Sequence, residues 1–280
     1  MDILRETKDL AKLFGISPSR SKGQNFLIDE RVYDDMVASA RIPAGATVLE
    51  AGPGFGFLTA KLAAAARRVI AVELDDRLAA YLQTALVSAS TANVELVHRD
   101  VMQIDDIFLR DLGKYQIVSN LPYQITSIFL RKFVSGPYPP SSLTLMLQKE
   151  VARRIVSKAP DMSLLAFSVQ YYAEAGIERV VPAASFWPEP EIDSAIVRIN
   201  LKPSRPLSLD EEKKLFRLVK FAFSAKRKML KNNLAAGLRV RTEEIEDVLI
   251  SGGYDPKVRA EGLDIEDWLA LFAGLSRFVV

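Results

Sequence analysis

The chain has 280 residues, 37 Lys+Arg against 35 Asp+Glu and a formal charge of +2. At 49% hydrophobic and 26% charged it has the make-up of a globular protein, not of a disordered, collagen-like or coiled-coil one. It has no cysteine, which excludes disulfides, Cys-ligated zinc, iron–sulfur centres and a thiol nucleophile, and its single histidine, His98, removes most His-based metal sites, so no metal is expected. Residues 1–12 are polar with no apolar signal-peptide region, and apolar runs reach only about ten residues, about half a bilayer span, so a cytoplasmic protein is expected.

In chain order, residues 47–50 read as a strand ending at a Gly-rich turn, 57–66 as a helix, 69–73 as a strand and 77–88 as a helix. Residues 94–98 and 117–119 read as strands, 127–134 as a helix, 143–147 as a strand, 149–156 as a helix, and 195–201 as the last strand. This alternation predicts parallel pairing in a doubly wound α/β sheet, whose ligands sit at the carboxyl ends of the strands near the point where strand order reverses. Lys202-Pro203-Ser204-Arg205-Pro206 reads as a linker, because two prolines break both ladders and helices. Beyond it, 209–223, 229–236, 242–251 and 265–275 carry apolar residues at helical spacing. Two domains are expected, 1–202 and a smaller all-helical 207–280.

Glu50-Ala51-Gly52-Pro53-Gly54-Phe55-Gly56 joins the first strand to a helix. Glycines there let backbone approach a ligand closely, although many such turns are only tight turns. The dinucleotide spacing G-x-G-x-x-G is not met, since the third glycine, Gly56, comes one residue early. That favours a nucleoside without a pyrophosphate, such as S-adenosylmethionine. Glu73 ends the second strand 21 positions after Gly52, where a carboxylate can accept ribose hydroxyls. Asp100 follows the third strand, where an acid can accept from an exocyclic adenine amine; alone, each acid reads equally as a solvated strand end or a helix cap.

Asn120-Leu121-Pro122-Tyr123 ends the strand 117–119. The Asn120 side-chain oxygen and the Leu121 carbonyl can together hold an amine that donates two hydrogen bonds. Pro122 stiffens the turn, and Tyr123 offers a face for a base. The alternative is an Asn-capped turn with a core tyrosine. Lys226, Arg227, Lys228 and Lys231 put four cations in six positions, readable as a solvated helical face or as a phosphate rail.

Asn120–Tyr123 resembles the N-L-P-Y motif of the ribosomal RNA adenine N6-dimethyltransferases, and five further blocks resemble that family in its order. These are Lys22-Gly23-Gln24-Asn25-Phe26-Leu27, the Glu50–Gly56 loop, Leu147-Gln148-Lys149-Glu150-Val151, Phe186-Trp187-Pro188-Glu189-Pro190 with Asp193-Ser194-Ala195, and Phe223 with Lys226-Arg227-Lys228. Met162-Ser163-Leu164-Leu165-Ala166 departs from the family by lacking a Gly-Arg pair. The resemblance implies a Rossmann-like methyltransferase sheet with a helical C-terminal RNA-recognition domain. It also implies dimethylation of two adjacent adenines near the 3′ end of small-subunit (16S) rRNA, in an immature subunit, by a monomer using S-adenosylmethionine and no metal.

The resemblance further implies that Gln24, Asn25, Leu27, Gly52, Gly54, Glu73, Asp100, Val101 and Asn120 contact the cofactor. Asn120, Leu121, Pro122 and Tyr123 would handle the target adenine, with Tyr123 and Phe186 sandwiching the base. Lys226, Arg227, Lys228 and Lys231 would bind RNA, with Arg20, Lys22, Arg153, Arg154 and Lys158 as possible extensions of the rail. Competing readings are an erythromycin-resistance-type methyltransferase of large-subunit rRNA, a nonenzymatic nucleic-acid binder on the same fold, and an NAD-dependent oxidoreductase. The last is disfavoured by the glycine spacing.

Overall fold

In the computed structural model, which describes residues 2–18, 25–88 and 92–279, the elements follow the expected alternation with additions at the N-terminal end and within the chain. They begin with α1 (Ile3–Leu13), β1 (Phe26–Leu27), α2 (Glu30–Ala40), β2 (Thr47–Ala51), α3 (Phe57–Ala65), β3 (Arg68–Glu73), α4 (Asp76–Ser88) and β4 (Val94–His98). Then come α5 (Asp106–Asp111), β5 (Tyr115–Asn120), α6 (Thr126–Ser135), β6 (Ser142–Gln148), α7 (Lys149–Val156) and α8 (Leu164–Gln170). The rest are β7 (Ala173–Val181), β8 (Phe186–Trp187), β9 (Ser194–Leu201), α9 (Leu209–Ala222), α10 (Leu230–Leu238), α11 (Thr242–Ser251) and α12 (Ile265–Leu275).

The chain divides into two compact units, Met1–Ala152 with Ala173–Leu201, and Arg153–Tyr172 with Lys202–Val280. A single cut at 202 therefore does not describe the division, because residues 153–172 group with the later helices. In that second unit Phe167 and Tyr171 each meet the Phe216 ring edge-on at 5.3 Å, and Phe167 also meets the fully buried Trp268 at 6.1 Å. Such aromatic contacts outweigh chain proximity in deciding where a segment packs. The stretch where a Gly-Arg pair is missing opens α8: Ser163 caps it through Ala166 N, and Met162 is buried.

The first unit carries a seven-stranded sheet in the order β4-β3-β2-β5-β6-β9-β7. β2 pairs in parallel with β3 and β5, and β5 with β6, as expected. β9 runs antiparallel to both β6 and β7, so the sheet is mixed. Parallel strands covered on both faces are built from near-continuous apolar runs, and β2 and β3 are buried almost throughout. β7 escapes that signal: as an edge strand with Gly176 and exposed Glu174 and Arg179, it has no continuous apolar run, and Ile177, Val180 and Val181 are broken up by charged residues. Val48, Val69, Val118, Met146 and Ile196 of the sheet pack with Val32 and Met36 of α2 and Leu58 and Leu62 of α3.

Candidate active site

β2 has β3 on one side and β5 on the other, so strand order reverses at β2, and a cavity of about 930 Å³ opens at the carboxyl ends of these strands. That volume lies in the range of small-molecule and cofactor sites. The whole cavity belongs to the first unit. Residues 15–17, just after α1, also line it, and a buried cluster of Ala11, Ile16, Phe55 and Leu78 holds the end of α1 there.

The Gly-rich turn forms one wall. Gly52, Gly54 and Gly56 have φ of +68°, +60° and +79°, a region closed to most side chains. Their N–H groups are all engaged within the protein: Gly52 N to Val72 O, Gly54 N to Glu73 Oε2, and Gly56 N to Pro53 O. These three glycine N–H groups are therefore committed to the turn itself and not offered to a ligand.

Five acids line the cavity: Glu50, Glu73, Asp75, Asp76 and Asp100. Glu50, 1% exposed, accepts from Thr59 Oγ1 at 2.7 Å. Burial, assisted by the charge of Glu73, outweighs that bond and pushes its carboxyl up to about 8. Glu73 Oε1 accepts from Leu74 N and Asp75 N, both at 2.9 Å, and Oε2 from Gly54 N at 3.1 Å. Burial raises its pKa even against those three bonds. Three of about four acceptor sites on this carboxylate thus order its own turn, leaving about one for a ligand hydroxyl. Asp100 caps a short turn through Oδ1, which accepts from Met102 N at 2.8 Å, and Val101 beside it is a buried part of the lining.

β5 delivers Asn120 to the cavity at its last position, followed by Leu121, Pro122 and Tyr123. Among the described residues no protein group hydrogen-bonds the Asn120 side chain, and no backbone N–H is bonded to the Leu121 carbonyl. Tyr123 lines the cavity while its hydroxyl lies 2.7 Å from Ser194 Oγ. Burial raises the Tyr123 pKa, so the phenol keeps its proton. Asn25 and Leu27 also line the cavity, whereas Gln24, with Arg20 and Lys22, lies outside the described residues.

Two expectations need correction. Phe186 does not line the cavity. Paired with Leu27, it is 2% exposed and turns into the core against Leu27, Tyr33 and Met36. In a strand neighbouring side chains alternate, so Trp187 faces the other way, 6.5 Å from the Phe26 ring and under Lys8. Lys231 departs from the basic row: it lies in α10 with Nζ 2.8 Å from Glu246, and only 16% of its side chain is exposed. Lys226, Arg227 and Lys228 are exposed in the turn between α9 and α10 of the second unit. His98, given no role, pairs with Asp76 at 3.1 Å.

Sequence reasoning did not single out Glu50, Ser194 or the contribution of residues 15–17. The carboxyl of Glu50 was visible only as a letter of the loop motif, and its burial is a tertiary property. Among the described residues no group of His, Asp or Glu is arranged to hold a metal ion, and no helix is long and apolar enough to cross a membrane.

The family described as “Ribosomal RNA adenine dimethylase” matches residues 17–276. “Ribosomal RNA small subunit methyltransferase A” of Dehalococcoides mccartyi strain CBDB1 is 38% identical over 96% of this chain and 92% of its own. The protein of that description from Geobacillus kaustophilus is 37% identical, with 96% and 95% covered. Among solved structures, a dimethyladenosine transferase from Plasmodium falciparum superposes with a TM-score of 0.76 at 25% identity, covering 90% of this chain and 98% of that one. The 23S rRNA methyltransferase ErmE gives 0.73 at 27%, covering 90% and 100%.

Proposed function

This chain belongs to the ribosomal RNA adenine dimethylase family, and from that membership we propose that it dimethylates the N6 amines of two adjacent adenines near the 3′ end of small-subunit rRNA, in the cytoplasm, on an immature subunit. The observation that carries the reading is Asn120, whose side-chain amide, unpartnered among the described residues, ends the central strand β5 inside a cavity lined by five acids. The small-subunit assignment rests on relatives of that description, which match nearly full length.

S-adenosylmethionine, when bound, supplies a methyl group activated by a sulfonium. The cavity suits it: Glu50, Glu73 and Asp100 match a cationic ligand, the glycine wall offers close backbone approach, and Asn25, Leu27, Gly52, Gly54 and Val101 complete the lining. Glu73 would hold a ribose hydroxyl with its remaining acceptor capacity, and Asp100 would accept from the cofactor's adenine amine.

The target base must leave its stack to reach such a site, at a cost of a few kcal/mol. Tyr123 covers one face of the flipped base, a contact that contributes about 1–3 kcal/mol. In the first transfer the two N6 hydrogens of the target donate to Asn120 Oδ1 and the Leu121 carbonyl, and in the second the one remaining N6 hydrogen donates to one of these two acceptors. These bonds localise the nitrogen lone pair and stabilise the positive charge that grows on N6 as it takes the methyl group. Holding the nitrogen in line removes the entropic cost of alignment. The proton leaves N6 to water, since the cationic nitrogen formed when the methyl group adds is strongly acidic.

The test is incubation of the protein with methyl-labelled S-adenosylmethionine and small ribosomal subunits lacking the modification, followed by nucleoside analysis. The expected product is N6,N6-dimethyladenosine in small-subunit rRNA. Label confined to large-subunit rRNA would transfer the reading to the chemistry for which ErmE is named, and absence of label from either would overturn it.

A further inference from the structure

Tyr123 reaches the cavity on a short turn, residues Tyr123–Ile125, which is only partly buried and tied by Ile125 N to Pro122 O. A ring on so short a tether can swing about its first two side-chain torsions. Its hydroxyl, however, lies 2.7 Å from Ser194 Oγ, across 71 positions of sequence. Ser194 is fully buried, and it opens β9, where it pairs with Gln148 of β6 on one side and Val181 of β7 on the other.

The residue before it is also fixed. Asp193 Oδ2 accepts from Lys149 Nζ at 2.9 Å, its Oδ1 accepts from Ala183 N at 3.2 Å, and its carbonyl accepts from Lys149 N at 3.0 Å. The Ser194 hydroxyl is therefore an anchor set in a strand hydrogen-bonded on both sides, whereas Tyr123 sits on a short turn. Because Phe186 is turned into the core, the plane of Tyr123 carries more of the burden of orienting a base.

We propose that Ser194 is a positioning residue: its hydroxyl pins the Tyr123 phenol and so sets the plane against which the target adenine is held. The inference rests on the adenine methyltransferase reading. Neither hydroxyl touches the reacting atoms. The bond acts by narrowing the orientations of the ring, and a loosened ring costs turnover more than binding, because misalignment of the amine is penalised in the transition state. The raised pKa of Tyr123 fits, since a protonated phenol can donate to the serine.

The experiment is a double-mutant cycle in steady-state methylation of small ribosomal subunits with Ser194→Ala, Tyr123→Phe and the double variant. Each single variant is expected to lower kcat about tenfold, equivalent to about 1.4 kcal/mol, with KM for the subunit and cofactor affinity little changed. The double variant is expected to match either single one, because both remove the same bond. Tyr123→Phe keeps the ring and alters no buried strand, so its tenfold loss alone supports the pinning if Ser194→Ala fails to fold. A wild-type kcat in either single variant, or losses that multiply in the double variant, would overturn the proposal. Wild-type protein that methylates no subunit at all would instead be a failure of the methyltransferase reading.

Discussion

Thr59 Oγ1 donates to Glu50 Oε2 at 2.7 Å, holding against α3 a carboxyl group that the fold has almost entirely removed from water. No ion pair compensates Glu50 among the described residues. A cavity floored by such a group favours a cation.

Glu50 should therefore link pH to both stability and ligand binding. Its folded pKa is about 8, above the ordinary 4.5, so folding takes up a proton between those values. Stability in the absence of ligand is then greatest below the lower value and falls as pH climbs through the upper one. A bound cation favours the ionised carboxylate, so S-adenosylmethionine binding should release a proton at neutral pH and tighten as pH rises toward 8. Glu50→Gln should flatten both trends. Thermal unfolding from about pH 5 to about pH 9 and calorimetric titration in buffers of different ionisation heat check this, and identical pH profiles for the two proteins would contradict it.

Asn120→Ala should lower kcat by about 10²–10³-fold, the usual effect of removing one preorganised group that stabilises transition-state charge. RNA affinity should change little, because Asn120 is not among the cations proposed to contact phosphate, Lys226, Arg227 and Lys228. Filter binding beside a methyl-transfer assay separates the two, and turnover near the wild-type rate would remove Asn120 from the reaction.

Neutralising Lys226, Arg227 and Lys228 together should weaken RNA binding at every sequence and reduce the log–log salt slope by about 2–3, since each lost phosphate contact contributes about 0.7–0.9. Lys231, held by Glu246, should add little to that slope when replaced by Met. Binding titrations at several salt concentrations read both effects.

The exposed turn has a hidden support. Asn233, 5% exposed, donates to the carbonyls of Ala222 at 2.7 Å and Ala225 at 3.0 Å, fastening the chain that presents the three cations. Asn233→Ala should cost about 1–3 kcal/mol in urea unfolding by taking the side-chain donor from the Ala222 carbonyl and leaving the Ala225 carbonyl only its bond from Lys228 N. It should also weaken RNA binding although it removes no charge.

Much of this protein was settled by local pattern. The runs 47–50 and 69–73 read as strands, the glycines after the first run as a turn that lets backbone approach a ligand, and the order of acids and the Asn120–Tyr123 tetrapeptide pointed to the chemistry before any coordinates. Those features depend on one strand or one turn, and short-range sterics and hydrogen bonding fix them. The antiparallel edge strand β7, the passage of residues 153–172 into the helical unit, the inward turn of Phe186 and the Ser194 anchor depended on which distant surfaces met. An aromatic residue has the same letter whether it faces a cavity or a core. Its environment is set by the summed burial of its neighbours, a long-range quantity that no spacing along the chain encodes.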